Sequence, residues 1–280
     1  MRRAVAAQPS YPGRRGDAEV WGVLTVDMDI ATLCNALEHT LNPDRDVRRQ
    51  AEAALDGVKF APGFMIELLK IVTADEASMG VRQAASIYFK NLVRREWDNV
   101  GTRIAKKTTK SELPDEDKEV VRENLAEALM VAPPLIRSQL AEGVRYIAYT
   151  DFPEQWPGLF PTLMGNLQSG DQTRMYGALI ALRVVCKKFD FAGQGKLSNT
   201  LNSMVESMFP LLQQLFEQIV SNEESPEAYE MQKKIAQIFW SCTHNHIPAY
   251  LRKPAVYRPW MDMSVVHRLT FLCERCPLSI

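Results

Sequence analysis

Two stretches of this chain are built alike, and the likeness limits what it can fold into. Val81 to Trp97 reads VRQAASIYFKNLVRREW; Val81, Ala85, Tyr88 and Leu92, with Ala84, Phe89 and Val93 beside them, recur at the spacing of one face of an α-helix. Asn42 to Leu55 reads NPDRDVRRQAEAAL, a turn signal followed by Val47-Arg48 and then by Ala51 and Leu55 at four-residue steps. The two apolar-arginine pairs stand 34 residues apart. A further pair, Ile136-Arg137, opens LIRSQLAEGVRYIAY, and a weaker copy, Thr173-Arg174, opens RMYGALIALRVVCKKF. A helical-hairpin unit used repeatedly predicts an array rather than a closed globule.

The rest of the chain divides on the same plan. Ile30, Leu33, Leu37 and Leu41 are expected to form one short helix, which Asn42-Pro43-Asp44 ends before the Val47 helix returns antiparallel. Phe60 to Thr73 and the Val81 stretch make a second pair. Glu116 to Val131 and Leu135 to Tyr149 make a third, turned at Pro133-Pro134. In DFPEQWPGLFPTLMGNL, Pro153 and Pro157 sit where a missing N–H is tolerated, so a helix is expected from Pro157 or Leu159, turned by Ser169-Gly170-Asp171 into the Arg174 helix. Leu197 to Val220 and Tyr229 to Cys242 complete about five pairs, an all-α solenoid. Around these lie residues 1–27, read as a disordered extension rather than a transit peptide because Asp17, Glu19 and two prolines spoil an amphipathic helix, with Met28 as an alternative start. Residues 98–115, basic and then acidic, read as an exposed loop. The expected blocks are thus 28–131, 132–263 and an atypical tail over 264–280.

Composition excludes several functions. A formal charge of −1 with 24% charged residues does not describe a strongly basic nucleic-acid binder. Arg183 interrupts the most apolar stretch, ALIALRVVC, so no membrane span is expected. Five scattered cysteines without a secretory leader suggest a reducing compartment. Catalysis finds no support. Gly195-Lys196 resembles the end of a phosphate loop, but Asp190 and Leu197 stand where glycine and Ser or Thr are needed. Cys273 and Cys276 with His267 make half a zinc site with no fourth ligand nearby, since His244 and His246 belong to another element. The four histidines enter no nucleophile or acid–base constellation, so no catalytic residue, cofactor or metal is expected. Arg103, Lys106, Lys107 and Lys110 lack interleaved aromatics and read as a solvated loop rather than an RNA site.

NPDRDVRRQAEAAL, VRQAASIYFKNLV and above all YTDFPEQWPGL resemble the amino-terminal HEAT repeats of the importin-β (karyopherin-β) family over about Met28 to Met263. Phe89 stands where the family pattern leads to expect a leucine before Lys90-Asn91. The resemblance implies a HEAT-repeat α-solenoid, a right-handed superhelix of antiparallel helix pairs. It further implies a nuclear transport receptor of cytoplasm and nucleus, with Ran-GTP, phenylalanine-glycine nucleoporins, cargo proteins and importin-β itself as partners, and no membrane or direct nucleic-acid contact. Family members are several times longer, and the text from Ser264 onward does not read as the next repeat. A truncated form is therefore expected, whether fragment, isoform or gene-model error. The alternative is a HEAT scaffold or adaptor without Ran binding.

Arg48, Arg82 and Arg137 open second helices, where pairing with carboxylates of the neighbouring turn would hold the repeats together. Lys90, Asn91 and Arg94 lie further along their helix and miss the apolar stripe, which makes them the candidates for contact with Ran; the competing reading is a solvated face. Trp156 is expected to fix the turn between hairpins.

Overall fold

A computed structural model describes residues 30–97, 113–189, 196–222 and 225–266. The expected extension at 1–27, the basic loop residues, Met28, His267 and the Cys273/Cys276 pair lie outside the described residues. The order of helices is α1 (Ile30–His39), α2 (Arg45–Val58), α3 (Phe64–Thr73), α4 (Met79–Glu96), α5 (Asp115–Val131), α6 (Pro134–Asp151), α7 (Leu159–Leu167), α8 (Gln172–Cys186), α9 (Lys196–Asn222), α10 (Pro226–Thr243) and α11 (Pro254–Val266). Among the described residues there is no strand.

Each returning helix starts where the sequence supplies a stop for the orphan N–H groups of its first turn. Asp44 accepts from the N–H groups of Asp46 and Val47, Ser78 from Val81, Asp171 from Thr173 and Arg174, and Ser225 from Ala228. Helix α6 uses Pro134 instead, whose missing N–H leaves nothing to satisfy at the first position. The pairs then stack in two layers. Helices α4, α6, α8 and α10 pack each on the next, while α1, α3, α5 and α7 pack in a second layer that covers one side of them. This is the side-by-side arrangement of an α-solenoid, in which each unit buries its apolar face against its neighbours.

The core runs continuously between the layers, from Leu37 and Leu55 through Phe64, Phe89, Leu125, Leu140 and Leu182 to Phe209 and Ile238. Close approach decides one residue in it. A Cβ on Gly177 of α8 would lie 2.9 Å from Met130 Sδ and 3.1 Å from Met130 Cα, so the α5–α8 contact requires glycine there.

Three details differ from the sequence expectation. Helix α1 ends at His39, which leaves Leu41 outside it and 54% exposed, and Ile30 at its start is 45% exposed. Helix α3 begins at Phe64 rather than Phe60, because Gly63 takes a left-handed φ of 84° that breaks helical continuity. Tyr88 is only half-buried: Phe89 and Ala84 take the deep positions, and the Tyr88 hydroxyl reaches Asp56 of α2 at 3.2 Å.

Candidate interaction surface

On α4 the apolar residues Val81, Ala84, Ala85, Phe89, Leu92 and Val93 are buried against α3 and α6. The opposite face is left to solvent. Lys90 and Asn91 are half-exposed and Arg94 is exposed, and their positions i, i+1 and i+4 place them together on that face. Among the described residues neither Lys90 nor Arg94 forms an ion pair, whereas Lys59 lies between Asp56 and Glu96 at 3.7 Å from each. Burial, reinforced by the Asp56 carboxylate, pushes the Tyr88 phenol well above its ordinary value, so it stays a neutral donor. The free face continues on α6, where Glu142 pairs with Arg145 at 2.8 Å, Arg145 lies 4.1 Å over the Tyr146 ring, and Tyr149 is 68% exposed.

The arginines that open second helices turn inward, with a common target that differs from the expected one. Arg48 donates to the carbonyls of Asn42 and Pro43 at 2.7 Å each. Arg82 donates from Nε to the Val72 carbonyl at 3.0 Å and from a terminal nitrogen to Asp75 at 3.0 Å. Arg137 reaches the Met130 carbonyl at 3.4 Å and lies 5.7 Å over the Tyr176 ring. A carboxylate is engaged only by Arg82 of these three. The others meet the chain just before their own helix: Arg48 caps carbonyls of the turn after α1, and Arg137 reaches one of the last carbonyls of α5, which have no partner within that helix and carry partial negative charge. They fasten a helix to its own partner. Arg174 is different: it forks onto both oxygens of Glu127 on α5 and also donates to Asn166 Oδ1 on α7 at 2.8 Å.

Ties between successive pairs come from two aspartates that sequence reasoning did not single out. Asp117 of α5 is buried and accepts from the Gly63 N–H at 2.8 and 3.0 Å, setting a carboxylate against the start of α3. Burial raises its pKa, although backbone N–H groups of Gly63 and Met65 pull the other way. Asp151, 5% exposed, accepts from Trp97 Nε1 at 3.1 Å, from Arg122 at 2.9 Å and from the Thr150 hydroxyl at 2.7 Å, joining the ends of α4 and α6 to the middle of α5. Its carbonyl also receives the N–H groups of Gln155 and Trp156 at 2.7 and 3.0 Å. The Trp156 side chain is buried, and the Phe152-Pro153 bond is cis. Lys188 donates to the carbonyls of Ala148 and Phe152 and so closes the end of α6 from the α8 side; burial lowers its pKa. The one clue was the DFP text itself, in which an aspartate ends a helix instead of beginning one.

An open cleft of about 260 Å³ between α8, α9 and α10 is lined by Met175, Leu215, Ile219 and Met231 with polar but no titratable side chains. Among the described residues no three His, Cys, Asp or Glu side chains are grouped to hold a metal ion, and no helix is long and apolar enough to cross a membrane. Among the described residues Cys34, Cys186 and Cys242 enter no disulfide.

Two family descriptions fit the chain in succession. Residues 51–131 match the importin-beta N-terminal domain and residues 133–267 match an exportin 1-like protein. The chain is 32% identical over 235 residues to an importin beta-like SAD2 homolog of Arabidopsis thaliana, covering 84% of this chain and 22% of that protein. It is 31% identical over 229 residues to a probable importin-7 homolog of Dictyostelium discoideum, covering 81% of this chain and 21% of that one. It therefore spans about a fifth of the length of these relatives. In fold it is like the exportin Cse1 in its cargo-free, cytoplasmic state, with a TM-score of 0.71 at 19% identity over 86% of this chain and 26% of that one. It is also like yeast importin-beta, Kap95p, with a TM-score of 0.63 at 17% identity over 85% of this chain and 27% of that one.

Proposed function

Because this chain belongs to the importin-β family, with the N-terminal domain of that family over residues 51–131, we propose that it serves as a nuclear transport receptor, or as the receptor's amino-terminal part, and binds Ran in its GTP form. The observation that carries the reading is the uncancelled charge of Lys90 and Arg94, which with Asn91 line the free face of α4 inside that domain. Kap95p offers the parallel: its binding induces the switch loops of RanGDP to adopt the GTP-bound conformation, and it is known in a complex with Nup1. By that analogy the partners are Ran-GTP, nucleoporins with phenylalanine-glycine repeats, cargo proteins and importin-β, and the chain moves between cytoplasm and nucleus. Such partners suit a long two-layer array, which presents broad surfaces to folded proteins. Release of cargo when Ran binds is then a shift between curvatures of the array, driven by Ran's preference for one of them.

The test is retention on immobilised Ran locked in either nucleotide state. Preferential retention by the GTP form is expected, and Lys90→Glu with Arg94→Glu weakens it about tenfold while stability stays within about 0.5 kcal/mol, as for surface changes generally. Equal or absent retention of the two forms removes the reading of a receptor for Ran-GTP and leaves a HEAT scaffold. Normal binding by the double variant removes the site.

A further inference from the structure

The far end of the same layer carries a second charged surface that the Ran reading does not use. Arg183 and Lys187 lie one helical turn apart at the close of α8, and Lys233 and Lys234 lie in the middle of α10. Arg183 joins the two helices, donating from Nε to Gln237 Oε1 at 2.9 Å and from a terminal nitrogen to Ser241 Oγ at 3.1 Å. Both partners are neutral, so the contact fixes the guanidinium in place without cancelling its charge. Glu230 is the carboxylate of this face, and it is engaged with Lys233 at 3.0 Å. Among the described residues Lys187 and Lys234 form no ion pair. Burial pushes the Lys234 ammonium below its ordinary value; Glu230 opposes this, while Lys233, Arg183 and Lys187 add to it. Basic side chains at the end of α8 complement its dipole, which accounts for Arg183 and Lys187. That reason does not extend to Lys233 and Lys234, which stand well away from either end of α10. One turn beyond Gln237, Trp240 is 40% exposed, with its ring stacked on His244 at 5.7 Å between centroids.

We propose that this α8–α10 face docks an acidic segment of a partner protein, with Arg183, Lys187 and Lys234 receiving its carboxylates and Trp240 receiving an apolar side chain next to them. Charge complementarity selects the partner. Among the described residues whose charges act on Lys234, Lys233, Arg183 and Lys187 stand against the single carboxylate of Glu230, on a chain whose formal charge is −1, so the excess is local and not a property of the whole surface. A nucleic acid is the poorer fit, because successive bases need a row of aromatic faces and Trp240 is a single exposed ring beside these cations. A fixed guanidinium flanked by ammonium groups free of ion pairs among the described residues matches carboxylates along an extended peptide.

The experiment is fluorescence anisotropy with the full chain and a short labelled peptide rich in glutamate with a central leucine. Its glutamine counterpart and a single-stranded RNA of equal charge serve as competing probes. The acidic peptide is expected to bind, more weakly as salt rises, and the glutamine peptide to fail. Lys187→Glu with Lys234→Glu is expected to reduce affinity about tenfold, equivalent to about 1.4 kcal/mol, and the corresponding glutamine pair to reduce it less. These two lysines make no described hydrogen bond, so circular dichroism of the variants should match the parent. Lys90→Glu with Arg94→Glu is expected to leave peptide affinity unchanged, which separates this surface from the Ran site. No binding, equal affinity for the glutamine peptide, retained affinity in the Lys187/Lys234 variants, loss on altering Lys90 and Arg94, or tighter binding of the RNA would each overturn the proposal.

Discussion

Replacing Asp151 with alanine should damage this fold more than deleting a comparable surface carboxylate. Asp151 is 5% exposed and accepts from Trp97 Nε1, Arg122 and Thr150, so alanine strands the indole N–H of a tryptophan that is 4% exposed and the guanidinium of an arginine whose side chain is 16% exposed. Leaving one member of a buried ion pair unpartnered costs about 3–5 kcal/mol, and the Trp97 N–H adds to the penalty unless water reaches it. Asp151→Asn has the same shape and keeps an acceptor for the indole while losing the charge opposite Arg122. Its cost should be smaller, about 1.5–3 kcal/mol, the range of a single hydrogen bond to a charged group. Urea denaturation of the purified chain followed by circular dichroism measures both, and Trp97→Phe completes a double-mutant cycle in which the Asp151–Trp97 coupling should exceed about 0.5 kcal/mol. An alanine variant within about 1 kcal/mol of the parent, or an asparagine variant as damaging as alanine, would refute the view that Asp151 holds three helices together.

Two further outcomes follow from the buried arginines and from Asp117. Arg82→Met should cost about 2 kcal/mol, because the Val72 carbonyl loses a partner at 3.0 Å and the largely exposed Asp75 adds only a little. Arg137→Met should be neutral within about 1 kcal/mol, since burial already lowers that guanidinium's pKa, its Nε has no partner among the described residues and its bond to Met130 is long; denaturation midpoints that reverse this order refute the account. The folded pKa of Asp117 lies above its unfolded value near 3.8, so the stability it contributes is fully present below 3.8 and is lost as pH rises through the higher folded value. Relative to Asp117→Asn, the parent chain should therefore gain stability as pH falls toward that window, and a difference independent of pH, or one of opposite sign, refutes this.

Much of the architecture can be read from the residues because helix pairing is local. Asn42-Pro43-Asp44, Pro133-Pro134 and Ser169-Gly170-Asp171 mark turns whichever neighbours surround them, and the Val81 stripe faces the core as its spacing requires. What escaped notice is nonlocal. Nothing near Asp117 announces Gly63, 54 residues earlier, as its partner. Nor does a lone arginine reveal that it will seek a carbonyl, since every helix ends in carbonyls and none is marked in the sequence. Leu41 was misread because periodicity continues in the letters after the backbone has left the helix at His39. The exposed face bearing Lys90, Asn91 and Arg94 was legible because the apolar stripe defines its opposite, whereas the α8–α10 cluster forms only when two distant helices meet.

The aspartate ties begin with the second pair, and this has a mechanical consequence. Helix α2 buries only Ala51 and Leu55, and its described links to α4 are the Tyr88–Asp56 bond and the long Lys59–Glu96 contact, both near the surface. In a chain of nearest-neighbour couplings the weakest junction melts first, and here that junction is the leading one. Amide protons of α2 should exchange with solvent well before those of α4 and α6, so the array lets go at α2 before it loosens where the aspartates tie α3, α4, α5 and α6.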